Sequence, residues 1–324
     1  MHRRSFFILV SSALVLSVAH DIGAQAQTWP NRPVKLIVPY APGGATDALA
    51  RPWADKLSQV LGQQFVVENR GGASGMIGVE AAAKSPPDGY TLLFTPNAPF
   101  SVLPHLRKTP YDPINSFDPV GRAGDVVNGF VIHPSVGVKT FAELLEYAKK
   151  NPGKLAYASS GQGTSTHLRL EALKLKAGID ILHVPYRGGA DSLNDLLPGN
   201  VQMMNEPVTL PHVKAGKLIL LNINGRERSP DFPDVPTLTE LGVKGADVPI
   251  WFSIFAPAGV PKDIIRTLNG KMVELAKTQE MKATLWAAAN AIAPLQTPEE
   301  MAKHLESDSA SNAEVIKAAN VKME

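Results

Sequence analysis

Val34-Lys35-Leu36-Ile37-Val38-Pro39-Tyr40 runs without interruption into Ala41-Pro42-Gly43-Gly44-Ala45-Thr46-Asp47. The first half is rich in β-branched residues and stops at a proline, so it reads as a strand; the second half is a glycine-rich turn leading into a helix. Leu49, Trp53, Leu57 and Val60 recur at three- and four-residue intervals and form one apolar stripe that ends near Gly62. Phe65-Val66-Val67-Glu68-Asn69 is the next strand. A second glycine cluster, Gly71-Gly72-Ala73-Ser74-Gly75, then precedes a helix carrying Ile77 and Val79, and Tyr90-Thr91-Leu92-Leu93-Phe94-Thr95 adds another strand. Strands of about six residues alternating with helices predict an α/β fold with a mainly parallel sheet.

The rhythm breaks over 126–132 and resumes as a second unit of the same kind. Leu155-Ala156-Tyr157-Ala158 is a strand, and Ser159-Ser160-Gly161-Gln162-Gly163-Thr164-Ser165-Thr166 leads into a helix with Leu168, Leu170 and Leu173. Ile181-Leu182-His183-Val184-Pro185-Tyr186 followed by Arg187-Gly188-Gly189-Ala190-Asp191 repeats the pattern. Strands follow over 201–205, 218–222 and 251–255, and amphipathic helices over 264–277 and 298–319. At 324 residues the chain is long enough for two cores. The expected arrangement is one lobe from 27–127 and 251–324 and a second from 128–250, each a mainly parallel sheet flanked by helices, with hinges near 126–129 and 249–252.

Composition excludes several function classes. A net charge of +2, from 32 basic and 30 acidic residues, gives no field able to hold a nucleic acid. With no cysteine there is no disulfide, thiol nucleophile or iron–sulfur cluster, and the eight histidines are scattered singly, so no metal site is expected. His2, Arg3 and Arg4, an apolar run over 6–19 and Ala24-Gln25-Ala26 make a signal peptide that predicts cleavage after Ala26 and a periplasmic location. The apolar run is shorter than the roughly 20 residues a membrane span needs.

The glycine loops carry the chemistry. In an open α/β sheet a ligand sits beyond the carboxyl ends of the strands, against helix amino termini whose unpaired N–H groups favour an anion. Gly44, Ala45 and Thr46 from one loop, and Ser160, Gly163, Thr164 and Ser165 from another, offer such donors and together read as a clamp for a carboxylate. Glycines before helices also serve simply to shape turns, and spacing alone leaves both readings open. Neither loop has the glycine-lysine-serine/threonine phosphate pattern, Gly161-Gln162-Gly163 lacks a third glycine, and Gly72-Ala73-Ser74-Gly75 misses the hydrolase elbow by one place, so no cofactor and no catalytic set is expected. His167 reads as a hydrogen-bonded structural residue at a helix start. Asp47 either caps its helix or faces the cleft, Arg187 either grips a carboxylate or lies at the surface, and Tyr40, Tyr186 and Trp251 either wall the cleft or pack in a core.

The chain closely resembles the Bug, or tripartite tricarboxylate transporter receptor (TctC-like), family of extracytoplasmic solute-binding proteins. The matching residues are Trp29-Pro30, Val38-Pro39-Tyr40-Ala41-Pro42-Gly43-Gly44 with Asp47, Val67-Glu68-Asn69-Arg70, Pro87-Asp88-Gly89-Tyr90-Thr91-Leu92, Ser160-Gly161 with His167-Leu168, Val184-Pro185-Tyr186 and Ala256-Pro257-Ala258-Gly259. The resemblance implies a two-lobe periplasmic binding protein of type II-like form, with the ligand in the interlobe cleft. It implies that Thr95, Asn97 and Ala98, the 160–165 loop, and Gly188, Gly189 and Ala190 line the pocket. It further implies a small mono-, di- or aromatic carboxylate as ligand and membrane permease subunits as partners. At Asn205 the family often carries an aspartate; an amide there would favour a more acidic or less amino-bearing ligand. The expectation is therefore a monomeric solute receptor and not an enzyme. A sensor that presents its ligand to a membrane kinase, and more remotely a hydrolase or lyase, stand as the alternatives.

Overall fold

The computed structural model describes residues 29–225, 227–243, 248–289 and 291–322, and the leader expected over 1–26 lies outside them. The first lobe opens with β1 (Val34–Val38), α1 (Ala45–Leu61), β2 (Phe65–Asn69), α2 (Met76–Ala83) and β3 (Thr91–Pro96). Two single-turn helices, α3 (Ala98–Ser101) and α4 (Leu103–Leu106), lead to the long strand β4 (Phe117–Val126). The chain then builds a second sheet from β5 (Val131–Ile132), α5 (Phe141–Lys150), β6 (Ala156–Ser159), α6 (Ser165–Ala177), β7 (Leu182–Pro185) and α7 (Gly189–Leu196), followed by β8 (Met203–Met204), α8 (Leu210–Lys214) and β9 (Ile219–Leu220). It returns through β10 (Trp251–Pro257) and closes with α9 (Lys262–Lys277), α10 (Gln279–Ala289), β11 (Ala291–Ile292) and α11 (Pro298–Ala318). Among the described residues no helix is long and apolar enough to cross a membrane.

Both sheets are mixed, where the alternation of strands and helices predicts mainly parallel ones. The first has the order β11-β4-β10-β3-β1-β2, with β1 parallel to β2 and β3 and β10 antiparallel to β3 and β4. The second runs β7-β6-β8-β5-β9, parallel around β6 and antiparallel around β5. The antiparallel pairs arise where the chain passes between the sheets, because β10 enters the first sheet from the opposite end to β3. The two crossing segments are hydrogen-bonded to one another, Val126 N–H to the Ile250 carbonyl at 3.1 Å.

Packing follows the predicted stripes. Leu49, Trp53 and Leu57 of α1 are fully buried against the first sheet, together with α9 and α10, while Val60 stays exposed. A second core on the opposite face holds Phe100, Phe117, Phe255 and Met301. In the other lobe Leu168, Leu170 and Leu173 of α6 are buried beside Tyr157. α11 makes a third link: it begins at the capping box of Thr297 and Glu300, packs on β4 and α3, and ends with Ile316 in the second lobe's core.

At the carboxyl end of β1 the loop is fixed by one buried side chain. The Asp47 carboxylate accepts from the Gly43 N–H at 3.0 Å, from Arg51 Nε and Nη2 at 3.0 and 2.9 Å, and from Asn69 Nδ2 at 3.0 Å. Asn69 also donates to the Tyr40 carbonyl, so the ends of β1 and β2 and the first turn of α1 are tied together. Burial works against ionisation of Asp47, but the bonds from Arg51, Gly43 and Asn69 outweigh it and hold the carboxyl below its ordinary value. A depressed carboxyl stabilises the fold at neutral pH, and that contribution disappears as pH falls through the lowered native value. Asp47→Asn is expected to cost about 1–3 kcal/mol at pH 7, read as a lower urea midpoint, with the difference from the parent shrinking toward acid pH. Trp53, whose Nε1 donates to the Ala123 carbonyl at 2.9 Å, is fully buried; Trp53→Ala is expected to cost about 3–5 kcal/mol in the same measurement.

Candidate functional site

The strands β1, β6 and β7 each end in a glycine- or serine-rich loop, and these loops bring the amino termini of α1, α6 and α7 to one cleft between the sheets. Gly44 and Gly188 are the N-caps of α1 and α7, and neither helix start receives a side-chain cap. The first-turn N–H groups of an α-helix have no partner within the helix. Those of Gly44, Ala45 and Thr46 are therefore open to an occupant, and three helix ends point partial positive charge at the same space.

The two sides meet closely. A Cβ placed on Gly44 would stand 3.6 Å from the Gly189 amide nitrogen, and one on Gly43 would stand 3.7 Å from the Ala190 Cβ. At Gly161 the backbone has φ +134, and a Cβ there would come within 2.8 Å of Ser74 Oγ. Only glycine fits that conformation and that separation. The cleft is thus seen closed.

Ser160, Thr164 and Thr166 form a hydroxyl network on the second lobe's side. Thr166 Oγ1 lies 3.2 Å from Ser160 Oγ and 3.0 Å from Thr164 Oγ1, and Thr164 donates to the Gly161 carbonyl at 2.7 Å. Two histidines hold this loop from behind, stacked at 3.9 Å between centroids: His167 Nδ1 accepts from the Gly163 N–H and His183 Nε2 bonds Ser159 Oγ. Burial lowers His167 to about 3 and His183 to about 4, so both are neutral and shape the loop. His167 is the hydrogen-bonded structural residue expected from its place at a helix start.

One cleft residue was not anticipated. Glu206 lines the cleft, is 5% exposed, and its Oε1 has no hydrogen-bond partner. Burial pushes its carboxyl up to about 7, partly offset by the Ser160 hydroxyl, the Arg169 guanidinium and the Thr166 hydroxyl. Arg169 stands behind the cleft at 1% exposure and donates to the Val248 carbonyl at 2.5 Å, to Asn128 Oδ1 at 2.7 Å and to Asn205 Oδ1 at 2.8 Å.

The structure gathers Tyr40, Gly44, Ala45, Thr46 and Ala98 on one wall, and Ser160, Thr164, Ser165, Gly188 and Gly189 on the other. Other predicted residues stand elsewhere. Asp47 is turned into the loop by its four hydrogen bonds, Gly43 gives its N–H to Asp47, and Gly163 gives its N–H to His167. Asn205 is held by Arg169 and does not reach the cleft; Glu206 beside it does. Thr95 is wholly buried, its hydroxyl on the Pro96 carbonyl. Asn97 acts as a latch: Nδ2 donates to Asp308 Oδ2 and the Pro249 carbonyl, and Oδ1 accepts from Ser165 Oγ. Arg187 is exposed, and Ala190 sits at the lip against Gly43. Successive residues of a strand face opposite ways, so Trp251 is sunk in the far core while Phe252, with Ile250, faces the cleft. Tyr40 is a wall residue whose hydroxyl donates to the Ser74 carbonyl, and Tyr186 turns away to Asp195.

Comparison with known proteins agrees with this architecture. Residues 49–321 match the model of the tripartite tricarboxylate transporter family receptor. Protein BugT of Bordetella pertussis is 38% identical over 279 residues, 85% of this chain and 85% of that protein. A solved R. palustris structure with adipate superposes with a TM-score of 0.87 at 34% identity, covering 91% of this chain and 99% of that one. MatC from Rhodopseudomonas palustris with bound malate gives 0.83 at 28% identity, covering 89% and 100%. With a family match that spans most of the chain and a fold shared throughout, this protein belongs to the tripartite tricarboxylate transporter receptor family.

Proposed function

We propose that the protein is an exported receptor that captures a small carboxylate-bearing solute in the closed interlobe cleft and delivers it to a membrane permease. The observation that carries the reading is the set of uncapped first-turn N–H groups at Gly44, Ala45 and Thr46, facing the helix starts at Ser165 and Gly189 across the cleft. Backbone donors at fixed helix ends recognise a carboxylate without a lysine or arginine, and enclosure strengthens each bond by excluding water. Adipate and malate in the two related structures are both carboxylates, which supports the class of ligand without choosing its member. The leader over 1–26 supports export, with cleavage after Ala26. Opening is assigned to the paired crossings near 126–129 and 249–252, and the receptor is expected to act as a monomer.

Calorimetry on the purified protein, unfolded and refolded to release carried-over solute, is expected to show saturable binding of at least one of a panel of mono-, di- and aromatic carboxylates. Binding of none of them would overturn the reading. Ala45→Pro removes one cleft N–H at the first helical position, where proline fits and where the preceding Gly44 is already extended (φ −82, ψ 175). It is expected to weaken carboxylate binding by about tenfold or more while leaving the melting temperature near that of the parent.

A further inference from the structure

Resting on the carboxylate reading, we infer that the captured solute also carries a cationic nitrogen, which hydrogen-bonds Glu206, so that the ligand is an amino-bearing carboxylate rather than a plain dicarboxylate. The cleft presents three positive helix ends and one acidic side chain, Glu206, which is almost wholly buried. Glu206 Oε1 is shielded from water and makes no close hydrogen bond, the Ser160 and Thr166 hydroxyls acting on the carboxyl only in part against the cost of burial; an N–H donor on the solute would relieve the remainder. The other Glu206 oxygen is packed against the start of α7, 3.2 Å from where a Cβ on Gly189 would stand. A second solute carboxylate brought to this end would meet a like charge in a space of low polarity, where two carboxylates must share one proton. A nearby cation exists in Arg169, but it lies behind the cleft wall on Val248, Asn128 and Asn205. An ammonium group on the solute satisfies the open oxygen and balances the charge. The substitution read at Asn205 therefore has the opposite consequence from the one its amide implies, because the neighbouring carboxyl restores an acceptor to the cleft.

The charge state of Glu206 gives the inference a sign. Burial places its carboxyl at about 7. The groups packed around it hold one charge state through that range: Tyr40 and Tyr157 are raised above their ordinary value by burial, His167 and His183 are lowered to about 3 and about 4, and Arg169 is a guanidinium. An ammonium-bearing solute needs Glu206 ionised, so its affinity rises as pH increases through about 7 and declines only where the solute's own amine loses its proton, near about 10. A dicarboxylate needs Glu206 protonated, so its affinity falls over the same interval.

The test is calorimetry with matched pairs, adipate against 6-aminohexanoate and malate against aspartate, at several pH values between about 6 and 9. The expected result is tighter binding of the amino member of at least one pair, by about tenfold at the alkaline end, with an affinity that rises with pH. Glu206→Gln, of nearly the same shape, is expected to abolish both the preference and the pH slope while leaving adipate binding equal or stronger. Should the variant fail to fold, the pH slope of the parent decides alone. Tighter binding of the dicarboxylates with an affinity falling toward high pH overturns the role of Glu206 and leaves the carboxylate reading standing. Failure of every probe, together with the wider carboxylate panel, overturns both.

Discussion

The Asp47 carboxylate stands at the third position of α1, where an acidic side chain commonly reaches back to cap its own helix start. Here it reaches one residue further, to Gly43, and is held there by Arg51 and Asn69. Two things follow. The loop between β1 and α1 is rigid without help from any occupant, and the charge that would compete with an anion is cancelled by the arginine one turn along. Because the N-cap is a glycine, no side chain claims the amides of Ala45 and Thr46. The helix end is left unsatisfied toward the cleft and satisfied everywhere else, which is the condition for a preorganised anion site.

The second lobe reaches a similar end by other means. Its loop is braced by two neutral stacked histidines and a threonine cap of its own, and by the bond from Ser165 to Asn97 across the cleft. Asn97 belongs to the first lobe and binds α11 as well as the crossing segment at Pro249, so closure and loop geometry share one residue. Around the backbone amides that face inward, most polar side chains hold those amides in place, while Glu206 and the hydroxyls of Ser160, Thr164 and Thr166 line the cleft itself.

Much of this was legible in the sequence, and the failures have physical causes. The strand–glycine loop–helix units over 34–61 and 155–177 announce themselves through period and punctuation, so the cleft-forming loops and their helix starts could be placed. Orientation at single residues could not. β8 is only two residues long, with Met203 and Met204 both buried, so no alternation shows which of Asn205 and Glu206 turns inward. Asn205 goes to Arg169, and a buried arginine beside Leu168 and Leu170 gives no signal in a one-dimensional pattern. Asp47 and Arg187 were ambiguous because capping, surface and cleft positions use the same residue types. The mixed sheets were missed because strand direction at a lobe crossing depends on the return path, which periodicity does not encode.

The near-contact of the cleft lips, Gly43 with Ala190 and Gly44 with Gly189, also sets a kinetic limit. Lips this close narrow the way out of the cleft, so release is coupled to the parting of the lobes. The dissociation rate is then bounded by the opening rate, however weak the individual contacts inside. Strengthening those contacts would lengthen residence only by making opening rarer, and a solute that barely fits would still be carried for at least one closed interval.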